Sequence, residues 1–309
     1  MKPLIDPIDK KRIKAELTPE RFIRITNAGN NAIYLLNAHN SPNTMLEIGR
    51  LRELTFREAG GGTGKEADID EFDTAENPFN QLIVWNNEEE EIIGAYRFIT
   101  GREAPIEEEG YPHTPTSKLF LYSEKFIQNQ WQECIELGRS FVQPKYQATS
   151  DVRGGLYALD NIWDGLGALT VMYPKVKYFI GKMTLYNRYN RRARNLIIHF
   201  LNKHFKGDEA LVRPRIPFYE PSEEDENYRI FSNRHASVGE DFKLLNRNIR
   251  ELNEIIPPLI KTYISLASTM QYFGSSPNIE FGPVEELCIM INIADIYDSK
   301  KARHIQTYK

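Results

Sequence analysis

Cysteine is nearly missing from this chain of 309 residues. Cys134 and Cys288 cannot build a disulfide framework, and no cysteine pair has zinc-finger spacing. No apolar run approaches the roughly 18–20 residues needed to span a bilayer. The opening stretch, MKPLIDPIDKKRIKAELTPE, lacks the continuous apolar core of a signal peptide. Charge of one sign is also lacking. Thirty-nine basic residues against 43 acidic ones leave a net −4, unlike the strongly basic face of a general nucleic-acid coat. There is no internal repeat, no low-complexity tract, no GxSxG and no HExxH, so serine-nucleophile and zincin hydrolases have no support. His199 and His204 stand five apart, off a shared helical face. What is present is a composition of 41% hydrophobic and 27% charged residues, enough for a sizeable core. These bounds predict a globular, cytoplasmic protein.

Periodicity organises the chain into alternating elements. Residues 1–44 read as a helical segment, with one helix around Phe22, Ile23 and Ile25 and a second through Ala32–Leu36. Met45, Ile48, Leu51 and Leu54 predict a helix ending at Gly60. Gln81–Trp85 and Ile92–Ile99 read as a strand pair around an acidic turn. A helix near Ser117–Ile127, a strand at Cys134–Val142, a helix at Gly155–Met172 and a strand at Tyr178–Thr184 follow. A basic helix then covers 187–205. From Ile216 the composition becomes polar and proline-bounded. Helices are expected around Phe242–Ile256 and Leu259–Tyr272, then a loop, GSSPNIEFGP, and a last strand near Leu287–Ile293. Strands alternating with helices favour an α/β architecture. The expected division is 1–44, a core over 45–215, and an extension over 216–309.

Several stretches invite a chemical reading. AGGGTGKE (59–66) fails as a phosphate loop because Ala59 replaces the first glycine, Glu66 replaces the hydroxyl residue, and a helix precedes it. It reads as a flexible loop. Asp68, Asp70 and Asp73 lack the glycine and terminal glutamate of an EF-hand, so capping or solvation is the simpler reading. Nine Lys/Arg between Lys182 and Arg215, against Asp208 and Glu209, form a local basic patch in an acidic chain. Such a patch suits an acyl carrier protein, an anionic membrane surface or nucleic acid, or else is a solvated helix face. The densest signal is Glu136-Leu137-Gly138-Arg139-Ser140-Phe141-Val142. A glutamate and an arginine inside an apolar strand are costly unless paired or used. Alternation would place them on opposite faces. A bulge at Gly138 would bring them to one face, and regular pairing through Gly138 would remove that reading.

ELGRSFVQPKY (136–146), with RLRELTF (50–56), DEFD (70–73) and GAYRF (94–98), resembles the GNAT-fold N-acyltransferases of the ornithine-lipid and glycine-lipid synthase type. That group also carries the label hemolysin and is distantly related to acyl-homoserine-lactone autoinducer synthases. The resemblance runs from about Arg50 to Tyr186 and resumes at IPPLIKTYISLAS (256–268). It implies an α/β (α+β) GNAT-like fold, a twisted mixed sheet flanked by helices, with two neighbouring strands splayed around an acyl-pantetheine arm. It implies transfer of a 3-hydroxylated fatty acyl group from acyl carrier protein to the α-amino group of an amino acid, ornithine or glycine. Other readings of the same resemblance are a membrane-active, non-enzymatic hemolysin and an autoinducer-synthase-like enzyme using S-adenosylmethionine.

Carried over by position, the resemblance makes Arg52, Phe56, Asp70, Asp73 and Arg97 substrate-binding residues and Glu136 and Arg139 catalytic ones. The ammonium of an amino acid must lose a proton before its nitrogen attacks a thioester, which suits Glu136 as base. Arg139 or Arg97 suits the acceptor carboxylate. Cys134 reads as packing, since no covalent intermediate is needed. Phe141 and Val142 would line the acyl donor. Arg153-Gly154-Gly155 is a partial version of the coenzyme A pyrophosphate loop, which favours a carrier-protein donor with its single phosphodiester. Arg188, Arg191, Arg192 and Arg194 would dock the carrier. No tightly bound cofactor, no metal and no nucleic acid are expected; acyl-phosphopantetheine, on carrier protein or coenzyme A, is a co-substrate. A peripheral contact with the inner membrane face fits a lipid product.

Overall fold

The computed structural model describes residues 1–147, 155–219, 229–233 and 235–308. Its frame is an eight-stranded sheet in the order β1-β2-β3-β4-β6-β7-β10-β9. The strands are β1 (Phe22–Ile25), β2 (Ala32–Leu36), β3 (Asn80–Asn86), β4 (Glu91–Thr100), β6 (Cys134–Val142), β7 (Tyr178–Tyr186), β9 (Gln271–Asn278) and β10 (Val284–Asn292). Two short strands, β5 (Phe120–Tyr122) and β8 (Val212–Pro214), pair separately. Every pairing in the large sheet is antiparallel except β6 with β7, which is parallel. A parallel pair needs a crossover, and helix α5 (Gly155–Met172) supplies it. The fold is the twisted mixed α/β sheet with flanking helices of the GNAT type.

Alternating residues of the central strands feed two cores. Leu82, Val84, Tyr96, Phe98, Ile135, Leu137 and Phe179 pack beneath α5, α6 (Arg191–Phe205), α7 (Val238–Glu251) and α8 (Pro258–Ile264). The opposite face is covered by α2 (Pro42–Ala59), α3 (Glu71–Thr74) and α4 (Glu124–Asn129) with the β5–β8 pair. α2 buries Met45, Ile48, Leu51 and Phe56 on one stripe and ends where Gly60 takes a φ of 97°.

Four expectations need correction. Ahead of α2, residues 1–41 hold a single α-helix among the described residues, α1 (Lys10–Glu16), while Phe22–Ile25 and Ala32–Leu36 are strands. Edge pairing on β3 turns those short apolar runs into a sheet extension, and periodicity cannot distinguish so short a run from a helix. Ser117–Ile127 divides into β5 and α4, because Ser123 caps a new helix through Phe126 N. The Leu259–Tyr272 helix stops at Ile264. The stretch Gly274–Asn278, expected as loop, belongs to β9 because β10 offers it a partner. Strands from residues 1–44 and from 216–309 thus extend the same sheet as the core strands.

Candidate active site

The decisive local geometry is a fork. β6 and β7 pair from Cys134/Tyr178 to Leu137/Gly181, and there their pairing ends. β6 continues to Val142 along β4, and β7 continues to Tyr186 along β10. A Cβ at Gly181 would lie 2.6 Å from the Leu137 carbonyl oxygen, so the last rung closes tightly. Beyond it, residues 138–142 and 182–186 face a gap between two strands.

A bulge sits on the β6 side of that gap. Ala95 pairs with Phe141 and Arg97 with Gly138, so three residue steps of β6 match two of β4. Arg139 absorbs the extra residue with a φ of 48°, a left-handed conformation that costs a non-glycine residue about 1–2 kcal/mol. Glu136 and Arg139 consequently share the α2/α3 face of the sheet. The left-handed residue is Arg139, whereas Gly138 pairs regularly and a Cβ there would meet only the Arg97 side chain, at 3.6 Å or more.

Beside the bulge lies a buried ionic network. Arg52 Nη1 is 3.1 and 3.2 Å from the Asp73 carboxylate oxygens, and Arg52 also donates to Gln81, which donates to Asp73 at 3.0 Å. Arg97 Nη1 donates to both Asp70 oxygens at 2.8 and 2.9 Å and to Asp73 at 3.2 Å. Arg139 pairs with Asp68 at 2.7 Å, and its guanidinium lies 4.3 Å above the Phe281 ring. The aspartates reach this point through local structure. The Asp68 amide bonds the Gly49 carbonyl, and a Cβ at Gly49 would come within 2.6 Å of Ile69. Asp70 and Asp73 form a reciprocal capping box at the start of α3. Capping and ion pairing are therefore both true of these residues.

Charge balance sets the electrostatics here. Burial pushes the Asp70 pKa up, but Arg97 and Arg139 outweigh it and hold the carboxyl well below its ordinary range. Arg52 is lowered by burial, partly offset by Asp73, whereas for Arg97 the aspartates outweigh burial and raise it. Arg52, Asp73 and Arg97 are at most 1% exposed, and Asp73 lies between the two arginines. Phe56 is buried edge-on against Phe281, the ring under Arg139, with centroids 4.9 Å apart. Arg52, Phe56, Asp73 and Arg97, expected to touch substrate, form the wall behind Asp70 and Arg139.

Glu136 is different. Its Oε1 accepts from the Thr116 amide at 3.0 Å and the Thr116 hydroxyl at 2.7 Å, while its buried Oε2 has no hydrogen-bond partner. Thr116 sits in a turn stiffened by Thr114 and Ser117, which exchange three hydrogen bonds. Lys182, the first β7 residue past the fork, donates to Thr116 Oγ1 at 3.3 Å. Burial lowers its pKa, opposed by Glu286 and Glu136.

Other candidates resolve plainly. The Gly60–Gly64 loop gives its Thr63 and Gly64 amides to the buried Glu53 carboxylate, which fills the place an anionic ligand would take. Cys134 is buried, its thiol pKa pushed well up by burial, in keeping with packing. Among the described residues no group of three or more His, Cys, Asp or Glu is placed to hold a metal ion, and no helix is long and apolar enough to cross a membrane.

The acetyltransferase (GNAT) domain profile matches residues 51–154, the stretch that holds the second half of α2, the ionic network and β6. A glycine N(alpha)-acyltransferase of Bacteroides thetaiotaomicron is 50% identical over 308 residues, spanning 100% of this chain and 91% of that protein. One of Phocaeicola vulgatus is 47% identical over 308 residues, spanning 100% of this chain and 94% of that protein. The chain belongs to the glycine N(alpha)-acyltransferase family. No solved structure matches it.

In this acyltransferase the basic residues sit where the fork opens. Parallel strands end at the same side, so the starts of α5 and α6 flank the mouth. Arg188, Arg191 and Arg192 are exposed there. Arg194 is not part of that set: it pairs with buried Glu285 at 3.4 Å and stacks on Phe218 and Tyr219, so its charge is used within the fold. Phe141 is buried against Ala95 and Val142 is half-buried, both on the β6 side of the gap. Arg153 and Gly154 lie outside the described residues, and Gly155 opens α5. Sequence reasoning did not place Thr116, Gln81 or Lys182 in the site. A polar Gln81 within an apolar strand was a readable signal; the HTPTSK turn that carries Thr116 gave none.

Proposed function

We propose that this N-acyltransferase moves a fatty acyl group, 3-hydroxylated, from the phosphopantetheine of acyl carrier protein to the α-amino group of glycine, yielding a lyso-aminolipid. The observation that carries the reading is Glu136 at the crotch of the β6–β7 fork with a free, buried Oε2. An acyl-pantetheine arm lying between the splayed strands presents its thioester carbonyl there. Glu136 takes the proton from the acceptor ammonium, the nitrogen attacks, the C–N bond forms and the C–S bond breaks. The departing thiolate takes up the second proton, which the nitrogen sheds as the amide forms. Unpaired backbone N–H groups on the β6 lip suit the oxyanion, a contribution of about 3–4 kcal/mol where single donors have been removed elsewhere. Glycine is favoured over ornithine because two relatives named for glycine span the whole chain. Exposed Arg188, Arg191 and Arg192 favour an acidic carrier protein over coenzyme A.

Mass spectrometry on the purified protein with 3-hydroxyacyl carrier protein and pooled amino acids tests this. The expected product is the acyl-glycine mass. Equal yield from acyl-coenzyme A would overturn the donor assignment, and an acylated ornithine would overturn the acceptor.

A further inference from the structure

Lys182 is a half-buried ammonium with little to hold it. Its one hydrogen bond is to Thr116, and among the described residues no carboxylate lies within 4.0 Å of its Nζ. The groups that face it are engaged elsewhere. Glu286, from β10, accepts from Thr184 Oγ1 at 2.9 Å and Asn278 Nδ2 at 3.1 Å. Arg97 and Arg139 are neutralised by the three aspartates. Glu136 spends Oε1 on Thr116 and keeps Oε2 free. One threonine hydroxyl thus joins an unpaired cation to an acceptor with an unused valence. A buried charge without a partner is costly, and a bound group of opposite charge would offset that cost.

We propose that Lys182 is the residue that reads the acceptor's α-carboxylate, so that the zwitterion of a free amino acid bridges Lys182 and Glu136. The inference rests on the acyl-transfer reading above. The carboxylate meets the Lys182 ammonium while the amino nitrogen, two bonds away, meets Glu136 Oε2. This connects recognition to deprotonation: an amine lacking the carboxylate is not held against the base. It also reassigns the carboxylate contact from the arginines, whose charge the aspartates cancel.

Steady-state kinetics with glycine and glycinamide as acceptors test the idea in the intact protein, with Lys182→Met and Lys182→Arg. Lys182→Met should raise KM for glycine roughly 10–100-fold, the scale of one charge-assisted hydrogen bond, and leave KM for glycinamide and for the acyl donor unchanged. Lys182→Arg should recover most of the loss. Equal rises for both acceptors, or a rise confined to the donor, would overturn the assignment. A readout needing no variant is inhibition of the wild-type protein: glycolate should compete with glycine and glycolamide should not. Equal inhibition by the two would overturn it as well. If the wild-type protein acylates no glycine, the acyl-transfer reading itself fails; if it does, and Lys182→Met keeps the preference for glycine, this inference alone fails.

Discussion

Two clusters of charge lie on the same face of the sheet, a few residues apart, and they are built on opposite plans. Arg52, Arg97 and Arg139 meet Asp68, Asp70 and Asp73, three charges against three, with capping amides and Gln81 adding further hydrogen bonds. Glu136 and Lys182 share a single hydroxyl and leave a carboxylate oxygen and an ammonium unmatched. Burying charge demands full pairing if the group is structural. Glu136 and Lys182 carry charges that no opposite charge among the described residues cancels at close range, and the acceptor amino acid is the partner proposed for them above. The contrast agrees with the proposal that the arginine–aspartate set shapes the site while Glu136, Thr116 and Lys182 serve the reaction.

The sharpest way to break this division is Glu136→Gln, which keeps the acceptor for Thr116 and removes the base. Turnover should fall about 10²–10⁴-fold with an unchanged melting temperature, measured on one preparation. Activity within tenfold of wild type would end the base assignment. On the other side, Asp73→Ala strands Arg52 in the interior and should cost about 3–5 kcal/mol in urea unfolding. A stable Asp73→Ala protein with lost turnover would move that aspartate from wall to active site. Replacing Arg188, Arg191 and Arg192 with glutamine should raise KM for carrier protein roughly tenfold and flatten its salt dependence, with KM for glycine untouched. A shift in the glycine constant alone would refute the docking role.

The smallest effect concerns pH. The Asp70 carboxyl is held below its unfolded value, so the unfolded chain takes up its proton first as pH falls. Its contribution is complete above the ordinary aspartate range, near pH 4, and is lost as pH falls toward the folded value. Asp70→Asn should therefore narrow its stability gap to wild type as the buffer is acidified below about pH 4. A gap that stays constant through that range would show that Asp70 gains nothing from its arginines.

Legibility followed the length and strength of the pattern. The helix from Met45 to Leu54 and its stop at Gly60 were readable, as were Cys134–Val142 and Gly155–Met172, because each carries several periods of its own signal. Phe22–Ile25 and Ala32–Leu36 were misread because four or five residues fit either period, and β3, which fixes Ala32–Leu36 as a strand on which Phe22–Ile25 then pairs, lies some fifty residues on. In the site, Glu136 and Arg139 were visible as charges where an apolar strand should have none. Lys182 was visible only as one of nine basic residues, since nothing local separates a cation at the fork from cations in water.

Reaction class was legible from residue order alone. The order of ELGRSFVQPKY after RLRELTF, DEFD and GAYRF is enough to name the fold, and the isolated charges in β6 point to the candidate site. Only the tertiary structure decided which charges are spent and which are open. Pairing is a property of distances between residues far apart in the chain: Asp68 with Arg139, Asp73 with Arg52, and Thr116 between Glu136 and Lys182. A chain read in one dimension lists the charges, but their cancellation is settled only when the strands meet and water leaves.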